Sequence, residues 1–313
     1  MHSNVDINEQ KILETHSRLL DVLLLDRTTG HNIIWGTDDY INFGDAYESH
    51  YPITKELITG LKTNIIQPRV VKTKEQQGYR TKGKAEVFTP VWICNEQNNL
   101  VDDAWFGRPE VFNISGHKGW ISTNDKIKFP DDKRKTWQKY VDERRLEIAC
   151  GEAPYLVSRY DPTTGVTIKL KDRIGLLDRK MRIVSENTYT ELDWLKWAER
   201  AYQSVYGFEF QGDNLLLARE NLLYSYSDYM ESHLMRQPTE KEFLNIARII
   251  SWNLWQMDAL TMTIPYQVIN RRNDQISFLE DQVDLSLVSY CKIKDWRSKK
   301  IIKFIQLVKG GTE

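Results

Sequence analysis

Between Thr190 and Asp258 the apolar positions change period repeatedly. TELDWLKWAERAYQSV (190–205) spaces its apolar residues at helical intervals, with Thr190 placed to cap and acids in the first turn. VYGFEF (205–210) is short and β-prone, and GDNLLLARENLLYSYSDYM (212–230) returns to helical spacing. A further helix is predicted from about Thr239 through TEKEFLNIARII, then a strand in WNLWQMD (252–258). Upstream, DKRKTWQKYVDERR (132–145) reads as a helix leading into an apolar strand, LEIAC (146–150). Strands alternating with helices predict an α/β fold, in which a parallel sheet is joined by crossover helices.

The flanks are less regular. INEQKILETHSRLLDVLLL (7–25) predicts one amphipathic helix, and NIIW (32–35) a short strand. Residues 65–90 alternate short β-prone pieces with basic residues, and 91–131 read as irregular with short strands. SRYDPTTGVTIKLKDRIGLLDRKMRIVSEN, with its neighbours over about 158–189, reads as an insertion after a Pro-Thr-Thr-Gly turn, a candidate lid. SYCKIKDWRSKKIIKFIQLV (289–308) predicts two strands joined around Arg297–Lys299. The division expected is a helical, basic extension over 1–84 and an α/β part over 85–313.

The predicted strands bring three ends to one sheet edge: Cys150–Gly151, Glu209 and Asp258. Ligands of open α/β sheets bind outside such carboxyl ends. An acid ending the second strand can accept both ribose hydroxyls, and one ending the third can accept from an adenine amino group. The small residues after the first strand let a ligand approach the backbone. The Gly-x-Gly-x-x-Gly pyrophosphate fingerprint is absent, which disfavours a dinucleotide.

At 313 residues, with 41% hydrophobic residues, the chain is long enough for one large domain or two modest ones. A formal net charge of −1 offers no global field for nucleic acid, so polyanion binding would need a local patch. The candidate is Arg69, Lys72, Lys74, Arg80, Lys82 and Lys84, which is a solvated edge on the plain reading and a phosphate-contacting surface on the functional one. Cys94, Cys150 and Cys291 show neither disulfide nor zinc spacing, so no metal is expected. With no leader-like or membrane-length apolar run, a soluble, cytoplasmic protein is expected.

Four motifs in order resemble those of the S-adenosylmethionine-dependent DNA adenine-N6 methyltransferases, particularly modification subunits of restriction–modification systems. Phe88-Thr89-Pro90 is similar to the family's Phe-Thr-Pro; Glu147-Ile148-Ala149-Cys150-Gly151-Glu152-Ala153 to Asp-Pro-x-Cys-Gly-x-Gly. YGFEFQGDNLLLARENLL is similar to Tyr-Gly-x-Glu with its Ala-Arg-x-Asn-Leu helix, and Asn253 to Leu260 to Asn-Ile-x-x-Gly-Asp-x-Leu. The resemblance covers about residues 85–260. It implies a reduced Rossmann-like class I sheet binding S-adenosyl-L-methionine. Phe88, Thr89 and Pro90 would lie against its methionine, and Glu147, Cys150, Gly151, Glu152, Ala153 and Pro154 would form the turn beneath it. Glu209 would take the ribose and Asp258 the adenine. DNA is the implied partner, with a restriction or specificity subunit besides.

The departures are as specific as the matches. Glu147 replaces an aspartate, and Ala153 replaces a glycine, which requires a negative φ there. The Asn/Asp/Ser-Pro-Pro-aromatic motif, which would position the adenine amine and stack on the extruded base, is missing. Thr263-Ile264-Pro265-Tyr266 is the nearest string, and it reads as a loop. Only 55 residues follow Asp258, so the chemical half of the sheet is expected to be reduced. Three readings stay open: a methyltransferase completed by a partner, an inactive cofactor- or DNA-binding regulatory homologue, and a methyltransferase acting on RNA or protein.

Overall fold

The computed structural model describes residues 5–84, 88–266 and 289–308. In chain order its helices begin with α1 (Glu9–Thr15), α2 (Leu19–Leu24), α3 (Lys55–Ile58), α4 (Lys74–Lys84) and α5 (Val91–Phe106). A hairpin follows, β1 (Asn113–Gly116) with β2 (Gly119–Ser122), then α6 (Trp137–Asp142) and β3 (Arg145–Glu147). Helices α7 (Leu176–Asn187) and α8 (Glu191–Tyr202) lead to β4 (Val205–Glu209). Next come α9 (Gly212–Leu234), α10 (Glu240–Asn253) and β5 (Leu254–Gln256). A second hairpin, β6 (Lys292–Asp295) and β7 (Lys300–Lys303), precedes α11 (Phe304–Val308).

The central sheet is parallel, in the order β3-β4-β5, with Glu147 level with Gly207 and Glu209 level with Gln256. The fold is therefore mixed α/β, and the three consecutive strands point their carboxyl ends the same way. Every residue of β4 and β5 is buried because both faces are covered. Val205 and Leu254 join a core cluster that runs from Ile7 through the helices. Tyr206, Phe208 and Trp255 face the other way, onto Cys291, Ile293 of the second hairpin, and Phe304. That hairpin turns at Arg297–Lys299 as expected, with Lys299 at φ 61°.

The helix predicted in 190–205 forms over Glu191–Tyr202, and the one predicted from about Thr239 forms over Glu240–Asn253. Thr190 and Thr239 accept from the amides of Asp193 and Glu242, and Glu242 returns the bond to Thr239 in a full capping box.

Elsewhere the structure corrects the reading. The single helix expected at 7–25 is two, because His16 leaves the helical region and Asn8 ties α1 to Thr63 and Asn64 while α2 packs on α10. NIIW makes only isolated bridges. The β-prone reading of 65–90 gives way to a short turn at Arg69–Val71 and to helix α4, introduced by reciprocal Thr73–Gln76 bonds. The irregular reading of 91–131 misses α5, whose buried side mixes Asn95, Asn98 and Asp102 with Val91, Cys94 and Phe106. Asn98 donates to the carbonyls of Tyr155 and Ile174, and Asp102 pairs with Arg179. The strand expected through Cys150 stops at Glu147.

The 158–189 segment does not form a lid. Its second half is α7, with Leu177, Met181, Ile183 and Val184 fully buried in the main core.

Candidate functional site

Past Glu147 the chain abandons extended geometry. Ala149, Gly151 and Ala153 all take positive φ, at 48°, 52° and 62°. The negative φ required of Ala153 is therefore not what forms, and two alanines hold a conformation costing about 1–2 kcal/mol each in an L-residue. Long-range bonds hold the turn in place: the Cys150 amide donates to the Phe208 carbonyl, and the Gly151 amide donates to Glu209 Oε2 at 2.8 Å. Asn221 of α9 anchors the next step by donating to the Glu152 carbonyl.

The turn floors a cavity of about 590 Å³ at the carboxyl edge of the sheet. Its wall includes Phe88 and Thr89, Glu147 through Gly151, Pro154, and Glu209. Seven of the eleven expected cofactor residues thus meet in one place.

The other four do not. Pro90 is the residue preceding α5. Ala153 is fully buried, and the Glu152 carboxylate turns inward to accept from the Arg69 amide and the Tyr160 hydroxyl. Asp258, assigned to adenine, lies outside the wall; its carboxylate accepts from the Leu260 amide in a turn closed by Asp258 N–H to the Thr263 carbonyl.

Sequence reasoning missed the opposite wall, made of Gly36, Thr37, Phe210, Gln211, Asn214 and Tyr266. Gly36 is required there. At φ 75°, a Cβ on it would sit 2.6 Å from the Phe210 carbonyl oxygen. The Tyr266 hydroxyl donates to the Gly36 carbonyl at 2.7 Å, so the Thr-Ile-Pro-Tyr loop reaches the cavity through its last residue. The only sequence signal was the glycine directly after Asn-Ile-Ile-Trp.

Two carboxyls dominate the chemistry of the floor. Burial pushes Glu209 above its ordinary range, opposed by amide bonds from Gln211 and Gly151. Burial pushes Glu147 up further, with Glu209 adding repulsion. Glu147 Oε1 accepts from the Tyr155 amide at 3.3 Å, while Oε2 has no partner among the described residues. Cys150 is also pushed well up by burial and by both acids, so it is a poor nucleophile.

The basic segment is largely inward. Arg80 is buried against Asp213, at 2.7 Å, and against Asp39, and it donates to Gln211. Lys72 reaches the same Asp213 at 3.0 Å, and Tyr40 donates to it. Burial alone would raise Asp213, but Arg80 and Lys72 hold it far below the usual carboxylate range. Arg69 lies over the Phe88 ring, 5.1 Å from its centre, and donates to Thr81. Lys74 and Lys82 are exposed on α4, and the side chain of Lys84 lies outside the described residues. Of the expected DNA-contacting residues that are described, Lys74 and Lys82 are exposed, Arg69 is half-buried, and Lys72 and Arg80 turn onto Asp213.

Cys94, Cys150 and Cys291 are free and buried, and no cluster of metal-ligating side chains occurs among the described residues. No described helix is long and apolar enough to cross a membrane. Compared with known proteins, the chain matches no family model, no curated protein and no solved structure.

Proposed function

We propose that the cavity at the carboxyl edge of the sheet binds S-adenosyl-L-methionine, and that the protein acts in adenine-N6 methylation of DNA as a modification-type methyltransferase with a reduced Rossmann-like sheet. The observation carrying this reading is the pairing of Glu209 Oε2 with the Gly151 amide at the floor of a cavity that also holds Phe88 and Thr89. The volume lies in the range that encloses a small cofactor.

The residues present suit the group. Each Glu209 oxygen accepts one backbone bond and keeps a lone pair for a ribose hydroxyl. Phe210, next in sequence and in the wall, offers a ring face to the adenine. Glu147, in the same wall as Phe88 and Thr89, supplies a carboxyl for the methionine ammonium. When bound, the cofactor supplies an electrophilic methyl on a sulfonium; the chain's part is to hold it and exclude water.

A second reading, a cofactor-binding regulator without methyl transfer, is favoured by the sequence. No two prolines are adjacent anywhere in it, so the acceptor-positioning motif has no counterpart. Calorimetric titration with S-adenosylmethionine tests the shared claim. Saturable binding, lost in Glu209→Ala, is expected; no binding by the wild type would end both readings. Incubation with radiolabelled cofactor and unmethylated DNA then separates them, since only the first yields methyladenine.

A further inference from the structure

A second cavity, about 550 Å³ and sharing no lining residue with the first, opens between the β1–β2 hairpin, α7, the end of α9 and the 169–173 loop. Five cations line it, Lys169, Lys171, Arg173, Arg179 and Arg182, against two acids, Asp178 and Glu186. Asp228 and Asp102 outside the wall pair with Arg173 and Arg179, which still leaves one positive charge in excess.

Both acids in the wall serve the fold. Asp178 accepts from the Ser158 amide and hydroxyl, the Gly175 amide and Tyr229. Glu186 accepts from the Ile127 amide and from Arg182. The cations are not used up to the same degree. Nε and Nη1 of Arg173, and Nε of Arg179, have no hydrogen-bond partner among the described residues although both side chains are more than nine-tenths buried. Lys169 and Lys171 are exposed at the mouth and meet no carboxylate among the described residues. Ser122 and Ser232 add neutral hydroxyls to the wall.

Buried guanidinium N–H groups left without an acceptor are costly even when the guanidinium is ion-paired, and the charge in excess at this cavity sits on the exposed Lys169 and Lys171. Planar guanidinium donors beside flexible ammonium groups match the oxygens of a phosphate. The geometry points to a second, anion-binding site on this protein, taking a phosphate group, either inorganic phosphate or a small phosphomonoester. It is independent of the cofactor reading, since nothing in it touches the first cavity.

The test is calorimetric titration with inorganic phosphate and, separately, with ribose 5-phosphate, which has no base to enter the first cavity, at constant ionic strength in chloride. Saturable binding at one site is expected, weakened by about tenfold or more in the Lys169→Ala/Lys171→Ala double variant. Those lysines are exposed, so folding should be intact; Arg173→Gln is the second variant and should also lose binding. Tighter binding of ribose 5-phosphate identifies a phosphomonoester site, and equal binding identifies a site for the free anion. No saturation with either probe, or unchanged affinity in both variants, overturns the assignment.

Discussion

Gln256 and Ile34 exchange two hydrogen bonds in the manner of paired strands. Gln256 Oε1 accepts from the Ile34 amide at 2.9 Å, and its Nε2 donates to the Ile34 carbonyl at 2.8 Å and to the Phe210 carbonyl at 2.8 Å. One side chain thus sews residues 33–37 to the carboxyl edge of the sheet, 222 positions away. This link brings Gly36 and Thr37 into the cavity wall.

Gln256→Ala should therefore cost more than an ordinary buried polar truncation. Each buried partner left unsatisfied costs about 1–3 kcal/mol, and the Ile34 amide loses its acceptor outright. Chemical denaturation should show a loss of at least about 2 kcal/mol. A change within half of that would mean that water replaces the side chain.

The basic segment divides into two classes with opposite expected behaviour. Removing Arg80 leaves the buried Asp213 with Lys72 as its remaining cation, and breaking such a buried pair should cost about 3 kcal/mol. Lys74→Ala/Lys82→Ala should leave the melting transition unchanged. If α4 meets DNA, that double variant flattens the slope of log K against log salt by about 2, one phosphate per lysine. An unchanged slope would remove α4 from any DNA contact. Lys72 belongs with Arg80, so its replacement would report on folding.

Stability should also fall as pH rises, because of acids near the N-terminus. Burial raises Asp6 from 3.8 to about 6 and raises Glu9 and Glu220 as well, with repulsion from Asp6 adding at Glu9 and from Glu9 and Asp6 at Glu220. Both oxygens of Glu9 and Glu220 lack partners among the described residues. These groups are protonated in the fold and ionised in the unfolded chain above about pH 4. The unfolded state then binds fewer protons, so their neutral burial is fully tolerated only in acid. Stability is lost from about pH 4 through about 6 for Asp6, and further upward for the two glutamates. Glu9→Gln should gain more than about 1 kcal/mol at pH 8 and little at pH 4, since each tenfold weakening of proton release on folding is worth about 1.4 kcal/mol. Equal effects at both pH values would show that Glu9 ionises freely in the folded protein.

The long elements were legible from periodicity because each encodes a buried face locally. In α8, Trp194, Ala198, Ala201 and Tyr202 recur on one side, and Thr190 and Thr239 mark helix starts through bonds to residues three positions on. The convergence of Gly151 with Glu209 was legible for the same reason: consecutive parallel strands place their ends together. Helices α4 and α5 were not legible. Their buried positions include Arg80, Asn95, Asn98 and Asp102, which break the apolar period, and a polar residue is a core residue only when a distant partner satisfies it.

The sequence by itself determined the alternation of strands and helices from Thr190 onward, the parallel sheet, and the meeting of Gly151 with Glu209 at one edge. Only the tertiary structure decided which charges face that edge. Asp258 folds into its own turn, Arg80 and Lys72 sink onto Asp213, and Gly36 arrives from the far end of the chain. Local pattern reports how a segment divides water from core. Whether a charge is solvated or buried depends on groups more than a hundred residues away, and a one-dimensional period carries no record of them.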